Sequence, residues 1–148
     1  MNIRPALIKD YKALLSVDSI APDDKRRASQ IAEWINKQSC YLVELDNEVA
    51  AYGVLNYHFF HHGYIEMLMV KSEHRRHQLG QALVEHFKSI CKDPKLFTTT
   101  NLSNEPMQLL LQKCGFSRSG QIDNLDDGDP ELVFFWANTR DNEANLSK

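Results

Sequence analysis

The stretch from Tyr64 to Ile90 constrains this chain most, because it predicts a strand, a turn and a helix in immediate succession. The apolar segment Ile65–Val70 has the composition of a strand, and the polar residues 71–78 have that of a turn. An amphipathic helix is predicted to open at Gly80. The first turn of a helix presents free N–H groups and the positive end of the helix dipole. The stretch therefore predicts an anion-binding site at the start of this helix.

Two features of this stretch refine the anion-binding hypothesis. Arg75 and Arg76 lie in the turn, where their charges favour a phosphate-bearing ligand. Glu66 is the single charge on the preceding strand. The stretch thus predicts a phosphate-bearing cofactor held beside a carboxylate.

The composition indicates one ordinary globular domain. The chain has 148 residues, of which 43% are hydrophobic and 25% charged. We expect a single domain over residues 1–138 and a polar C-terminal tail over 139–148. The net charge of −3 argues against nucleic-acid binding by the whole surface.

Neither a membrane-spanning segment nor a signal peptide is expected from the sequence. No apolar run approaches the length that crosses a bilayer, and the N-terminus lacks the apolar block of a signal peptide. The three cysteines, an odd number without close spacing, are interpreted as free thiols in a reducing compartment. We therefore expect a cytoplasmic protein.

The remaining segments predict the order β-α-α-β-β-β-α-β-α-β-β. Two strands over 40–45 and 49–60 flank a turn at Asp46–Glu48, which is typical of a hairpin. A helix that follows Asn104 ends at Gly115, a residue suited to the left-handed position after a helix. The predicted fold class is a mixed α/β sheet with helices on both faces.

This order and three segments together resemble the GNAT superfamily of acetyl-CoA-dependent N-acetyltransferases. The first segment is LMVKSEHRRHQLGQAL, residues 68–83, which is similar to the family signature Arg-x-x-Gly-x-Gly between a strand and a helix. The second is NEPMQLLLQKCGF, residues 104–116, which resembles the family's Asn-led helix. The third is DNLDDGDPELVFF, residues 123–135, in the closing pair of strands. The resemblance implies the fold of the acyl-CoA N-acyltransferases for nearly the whole chain.

The resemblance also implies a set of cofactor-binding residues. In this family the backbone of the strand pairs with the pantetheine amides, and the turn holds the pyrophosphate through backbone N–H groups. The positions that match are Leu68, Met69, Val70, Arg75, Arg76, His77, Gln78, Leu79, Gly80, Gln81, Asn104 and Lys113.

Each of these assignments has a simpler structural alternative. The basic turn can be an exposed loop without a ligand, and Leu68 and Val70 can be ordinary strand residues. Asn104 can serve only as the N-cap of its helix. Lys113, whose implied role is to approach the CoA phosphates, is equally well explained as a solvated helix residue.

Glu66 is the candidate general base. We expect the strand to be covered on both faces, and burial raises the pKa of a carboxylate towards the neutral range that suits a base. Several GNAT members use a Glu on this strand to deprotonate the amine, often through water. The alternative is a Glu near the open end of the strand, paired with a basic group.

Two positions depart from the family pattern. Gln78 stands where the first Gly of the signature is common, which is tolerable if its side chain points away and its backbone allows it. Leu111 stands where many members carry a Tyr as general acid for the departing thiolate. The other candidates for that acid are Tyr64, Tyr57, Cys114 and Ser103; the chemistry can also proceed without a strict acid, because a CoA thiolate is a tolerable leaving group.

The resemblance implies an enzyme that transfers an acetyl group from acetyl-CoA to a primary amine of a small molecule or a protein. Leu111 keeps open a second hypothesis, an acyl-CoA-binding or regulatory module without catalysis. A homodimer through the last strands is compatible with the family. We expect no metal, because His58, His61 and His62 straddle a predicted turn without matching carboxylates or thiols nearby.

Overall fold

The computed structural model describes residues 1–75 and 78–139. Arg76, His77 and the predicted tail from residue 140 onward lie outside the described residues. The strands are Asn2–Pro5 (β1), Cys40–Leu45 (β2), Glu48–Phe59 (β3), His62–Val70 (β4), Lys95–Asn101 (β5), Ser117–Ile122 (β6) and Glu131–Ala137 (β7). The α-helices are Tyr11–Val17 (α1), Lys25–Asn36 (α2), Leu79–Ile90 (α3) and Glu105–Lys113 (α4).

The seven strands are hydrogen-bonded in the order β1-β2-β3-β4-β5-β7-β6. The predicted sequence of elements and the mixed α/β class are confirmed. β4 and β5 run parallel over the pairs from Gly63↔Leu96 to Ile65↔Thr98, whereas the other registered pairs are antiparallel. A parallel pair needs a crossover connection, and α3 provides it between β4 and β5.

The chain divides into two compact units, each built from two chain segments. The first unit comprises Met1–Leu55 and Met67–His86, and the second comprises Asn56–Glu66 and the chain from Phe87 onward. Both units therefore draw on β3 and β4, whose residues are shared between them.

The first unit contains a core formed between β2, β3 and the helices α1 and α2. Leu14, Ile31, Leu42 and Tyr52 are fully buried in it. α2 begins at its N-cap Asp24, whose side chain accepts hydrogen bonds from the N–H groups of the first turn. These apolar faces are the ones that the 3.6-residue periodicity of the sequence predicts.

The second unit contains the strands β5, β6 and β7. Along β5, Leu96, Thr98 and Thr100 are buried, whereas the alternate residues from Phe97 to Asn101 are half-buried. This alternation follows from the two-residue period of a strand. One face of β5 is buried, and the other is partly accessible to solvent. α4 ends as predicted, with Gly115 at a φ of 87° after the last helical residue.

Among residues 1–75 and 78–139, no helix is long and apolar enough to cross a membrane. Cys40, Cys91 and Cys114 are buried free thiols, as the sequence predicted.

Candidate active site

The predicted anion-binding stretch is a strand, a turn and a helix, and its described residues from Met67 to His86 lie within the first unit. After β4, a single 3-10 turn at Ser72–His74 leads towards α3. The helix begins at Leu79, one residue earlier than the sequence predicted, and Ala82 N donates to Gln78 O at 3.1 Å. The N–H groups before Ala82 in the first turn have no intrahelical acceptor, because the i to i−4 ladder starts there. They are suited to bind the oxygens of a phosphate.

The basic side chains of the turn differ in their surroundings. Arg75 is exposed, and its Nε donates to the carbonyl of Val70 at 3.4 Å. Lys71 forms ion pairs with Glu48 and Glu73. The charge of Lys71 is therefore already compensated by carboxylates, while Arg75 keeps solvent-accessible N–H groups. The predicted roles of Arg76 and His77 fall outside the described residues.

The other predicted cofactor residues of this unit line the two ends of the turn. Leu68, Met69 and Val70 are half-buried on β4, beyond the last registered pair with β5, Ile65↔Thr98. Leu79 and Gly80 are buried in the first turn of α3, and the neighbouring Gln81 is half-buried. The pairing of the strand backbone with a pantetheine amide stays a prediction.

Gln78 has a φ of 58°, in the left-handed region that favours glycine. Its side chain is exposed, whereas its backbone lies outside the region that non-glycine residues favour. The left-handed backbone conformation of Gln78 costs a non-glycine residue about 1–2 kcal/mol of conformational free energy.

Replacing Gln78 by Gly is expected to raise the free energy of unfolding by about 0.5–1 kcal/mol. Glycine relieves the left-handed backbone, and its greater freedom in the unfolded chain offsets part of that gain. Gln78→Val is the matched control, because a β-branched residue tolerates this φ worst and should destabilise the protein. Urea unfolding of the three proteins measures both changes. Equal destabilisation by both substitutions would exclude a strained Gln78.

Glu66 is exposed, which corrects the expectation that β4 is covered on both faces at this position. Its Oε1 accepts a hydrogen bond from Asn56 Nδ2 at 3.0 Å, within the second unit. A hydrogen-bonded carboxylate open to solvent can pass a proton through water.

Asn56 is the residue that sequence reasoning missed. It is 9% exposed and lies at the end of a run of buried β3 residues that begins at Ala50. Its Oδ1 accepts from His58 N at 3.1 Å while its amide donates to Glu66, so both ends of the side chain are held. The sequence does contain a signal for it, because Asn56 is a polar residue that follows an apolar strand segment. A buried amide needs hydrogen-bond partners, and this could have marked Asn56 as a residue that orients another side chain.

Asn104 and Lys113 lie at the two ends of α4. Asn104 is the N-cap, and its Oδ1 accepts from Met107 N at 3.2 Å, so the capping interpretation is confirmed. Lys113 is exposed in the last turn of the helix. The contact of either residue with a cofactor stays a prediction.

Leu111 is fully buried, so the position of the family's Tyr is a core position in this chain. Among the alternative acids, Cys114 is buried and Ser103 Oγ donates to Asp129 Oδ2 at 2.6 Å. Tyr57 OH accepts from Lys92 N at 3.1 Å.

Tyr64 OH forms a hydrogen bond with Thr99 Oγ1 at 3.0 Å. Burial raises the pKa of Tyr64, and the nearby charges of Glu131 and Glu66 raise it further. The hydroxyl therefore stays protonated at neutral pH and can donate a proton or a hydrogen bond. Of the four alternative acids, Tyr64 is the one on which the charge of Glu66, the candidate base, is found to act.

The acidic loop between β6 and β7 borders a cavity lined by residues 123, 124 and 126–130. Two of its carboxylates have partners within the protein, since Asp126 accepts from Asn101 Nδ2 at 2.9 Å and Asp129 accepts from Ser103. The loop is thus ordered by hydrogen bonds in addition to being solvated.

The expectation that no carboxylate lies near His58, His61 and His62 is wrong for one of them. His62 does have a carboxylate nearby, because its Nδ1 lies 3.0 Å from Asp93 Oδ2. Within the described part of the chain, the three-residue group with metal-ligand geometry is instead Glu48, Glu73 and His74. The ammonium of Lys71 hydrogen-bonds to Glu48, so a cation already occupies that carboxylate.

Comparison with known proteins identifies the family. The profile described as "Acetyltransferase (GNAT) family" matches residues 7–116. A GNAT-family acetyltransferase from Bacillus cereus has 30% sequence identity and a TM-score of 0.88, over 94% of this chain and 98% of that one. The chain belongs to the GNAT acetyltransferase family. Among curated proteins, none matches it by sequence.

More distant structures share the fold. The ribosomal-protein-S18-alanine N-acetyltransferase of Escherichia coli has 17% identity and a TM-score of 0.78, over 92% of each chain. A Bacillus anthracis protein assigned as a streptothricin acetyltransferase, solved in complex with acetyl coenzyme A, has 23% identity and a TM-score of 0.64. The alignment covers 72% of this chain and 66% of that protein. The fold thus serves acetyltransferases named for both protein and small-molecule acceptors.

Proposed function

We propose that this protein transfers an acetyl group from acetyl-CoA to a primary amine by direct attack of the amine on the thioester. The observation that carries the proposal is the turn after β4 and the N-terminus of α3, which offer backbone N–H groups and Arg75 to a pyrophosphate. Membership of the GNAT family and the acetyl-CoA complex of the Bacillus anthracis protein support the same cofactor.

In this proposal the cofactor is held mainly by backbone groups. The backbone N–H groups of the turn and of the first helical residues, His77, Gln78, Leu79, Gly80 and Gln81, bind the pyrophosphate, and Arg75 and Arg76 add positive charge. The backbone of Leu68, Met69 and Val70 hydrogen-bonds the pantetheine, and an N–H near Leu68 or Met69 polarises the thioester carbonyl. Asn104 and Lys113 contribute from α4.

Glu66 acts as the general base in this mechanism. The attacking amine is protonated in solution and must lose a proton before or during attack. The exposed carboxylate takes that proton through water, and the amide of Asn56 keeps Oε1 oriented. Tyr64, whose hydroxyl is protonated, is the proposed donor to the departing thiolate, since Leu111 cannot supply a proton.

The acceptor in this proposal is a primary amine of a small molecule or a protein. The carboxylates of the loop between β6 and β7 attract a cationic acceptor through their charge. Residues 1–138 act as one acetyltransferase domain of a cytoplasmic protein, which the buried free thiols support. The homodimer through the last strands remains part of the proposal.

A second candidate function is acyl-CoA binding without catalysis, which the buried Leu111 in place of a Tyr favours. Release of CoA thiol after mixing with acetyl-CoA and a panel of amines separates the two. Thiol release that depends on the amine supports the enzyme, and acetyl-CoA binding without thiol release supports the binding module.

Acetyl-CoA is expected to raise the melting temperature of the protein. A ligand that binds only the folded state adds about 2.7 kcal/mol to the free energy of unfolding at one hundred times its Kd. Acetyl-pantetheine, which lacks the pyrophosphate, is the matched control and should shift the melting temperature much less. Thermal unfolding monitored by circular dichroism measures both shifts. An unchanged melting temperature at millimolar acetyl-CoA would exclude the cofactor.

A further inference from the structure

The second unit has a sheet face that carries a row of aromatic side chains. Phe97 on β5 lies directly opposite Phe135 on β7, and their ring centroids are 5.2 Å apart. Phe59 lies 5.0 Å from Phe97 and is stacked on Tyr64 at 5.0 Å. All four rings are half-buried, so solvent reaches part of each. We call these four residues the aromatic row.

This face differs from the other face of the same two strands. Leu96 and Thr98 on β5 and Leu132 and Phe134 on β7 are buried on the other face. On the aromatic face Phe97 and Phe135 are half-buried, and Val133, which follows Phe135 towards Glu131, is buried beside them. Flat side chains collected on one accessible face are suited to hold a flat apolar body.

Carboxylates lie along the same face. Asn101 and Glu131 form a directly opposed pair, four residues along the strands from the Phe97 and Phe135 pair. At about 3.3 Å per residue, this separation is roughly 13 Å. Glu131 and Glu66 both lie near enough to Tyr64 for their charges to act on its hydroxyl. The aromatic row is thus continuous with an acidic end that includes the proposed base.

We propose that the acceptor is a small primary amine carried on a flat aromatic body, with its ring on the aromatic row and its ammonium group between Glu66 and Glu131. This inference rests on the proposed function and specifies its acceptor. The charge of the acceptor complements the two carboxylates, and its ring complements Phe97 and Phe135. Tyr64 belongs to the aromatic row, and its hydroxyl is the part of the row on which Glu66 and Glu131 act, so it contacts both parts of the acceptor.

The geometry also sets the length of the acceptor. The Phe97 and Phe135 pair and Glu131 are roughly 13 Å apart along the strands. The side chain of Glu131 reaches towards Tyr64 and shortens this distance. A linker of two or three carbons between ring and amine bridges the remaining distance. A branched or saturated ring of similar volume keeps the apolar contact but loses the flat stacking geometry.

Steady-state assays with acetyl-CoA test the acceptor class directly. Phenethylamine, 2-cyclohexylethylamine and ethylamine have the same ammonium group and linker, and differ in the body they carry. We expect kcat/KM for phenethylamine to exceed that for 2-cyclohexylethylamine about 3- to 10-fold, and that for ethylamine by more. Equal kcat/KM for the three amines would overturn the inference. So would a preference for a peptide with an N-terminal Phe over phenethylamine.

Substitutions on neighbouring positions of β7 localise the effect. Phe135→Leu should lower kcat/KM for phenethylamine more than for 2-cyclohexylethylamine, and so remove the preference for the flat ring. Trp136→Leu is the matched control, because Trp136 is the next residue along the strand and its ring faces Lys88 at 5.0 Å. Glu131→Gln should raise KM for phenethylamine about tenfold and leave KM for acetyl-CoA unchanged. Loss of the preference in Trp136→Leu and not in Phe135→Leu would overturn the assignment of the row.

Failure of this inference is distinguishable from failure of the proposed function. If acetyl-CoA does not raise the melting temperature, the proposed function fails. If acetyl-CoA binds and amines release thiol without preference for a flat ring, only the acceptor class fails. A dimer that dissociates on Phe135→Leu, measured by light scattering, would assign the aromatic row to a second copy of the chain instead.

Discussion

Glu66→Gln is expected to lower kcat about 10²- to 10⁴-fold at neutral pH, the range that a positioned general base contributes. Glutamine keeps the shape of the side chain and can still meet Asn56, but it cannot accept a proton. The loss should appear in kcat, while the acetyl-CoA-induced rise in melting temperature is retained. Stopped-flow or steady-state thiol release measures the first effect, and thermal unfolding the second.

Two further variants make this experiment specific. Glu105→Gln removes an exposed carboxylate from the first turn of α4 and should leave kcat unchanged. Asn56→Ala removes the hydrogen bond to Oε1 and should lower kcat less than Glu66→Gln does, with an altered pH profile. An Asn56 that acts only on folding would change the melting temperature and leave the pH profile of kcat as it is. A normal kcat in Glu66→Gln would remove Glu66 from the mechanism.

Asp18→Ala is expected to lower the free energy of unfolding by about 3–5 kcal/mol, which is typical of breaking a buried ion pair. Asp18 is 2% exposed and accepts from Tyr52 OH at 2.5 Å and Arg27 Nη1 at 3.0 Å. It also accepts from two backbone N–H groups, those of Ile20 and Ala21. Its removal leaves a mostly buried guanidinium and a buried hydroxyl without their acceptor.

Urea unfolding measures this loss. Asp23→Ala is the control, because Asp23 is exposed in the adjacent 3-10 turn. The double variant Asp18→Ala with Arg27→Met should recover part of the stability, since it no longer leaves an unpaired charge. A loss below 1 kcal/mol in Asp18→Ala would show that this buried cluster does not stabilise the first unit.

Asp18 should also make the stability depend on pH. Burial acts to raise its pKa, but the hydrogen bonds from Tyr52, Ala21, Ile20 and Arg27 together hold the pKa below its ordinary value. A carboxyl with a lowered folded pKa stabilises the protein fully above its unfolded pKa of about 3.9. That contribution is lost as the pH falls through the folded pKa, and Asp18→Ala should lack this part of the acid-induced loss.

The sequence by itself determined the order of elements and the start of α3 directly after a polar turn. These features depend on local patterns: two-residue alternation in strands, the helical period of apolar residues, and Gly115 at a helix end. The left-handed backbone of Gln78 was also foreseeable, because it replaces a common glycine in a turn whose backbone conformation is demanding. Local chemistry of this kind acts over a few residues and can be read directly from the chain.

The tertiary structure alone decided which side chains meet and which are exposed. Glu66 was expected to be buried and is exposed, because the cover of a strand depends on elements far away in the sequence. Its partner Asn56 is ten residues distant, and Tyr52 is 34 residues from Asp18. Such long-range pairs form only when strands and helices pack, so no local pattern records them. The same packing brings Phe97 and Phe135 together on one sheet face, where they suggest the acceptor.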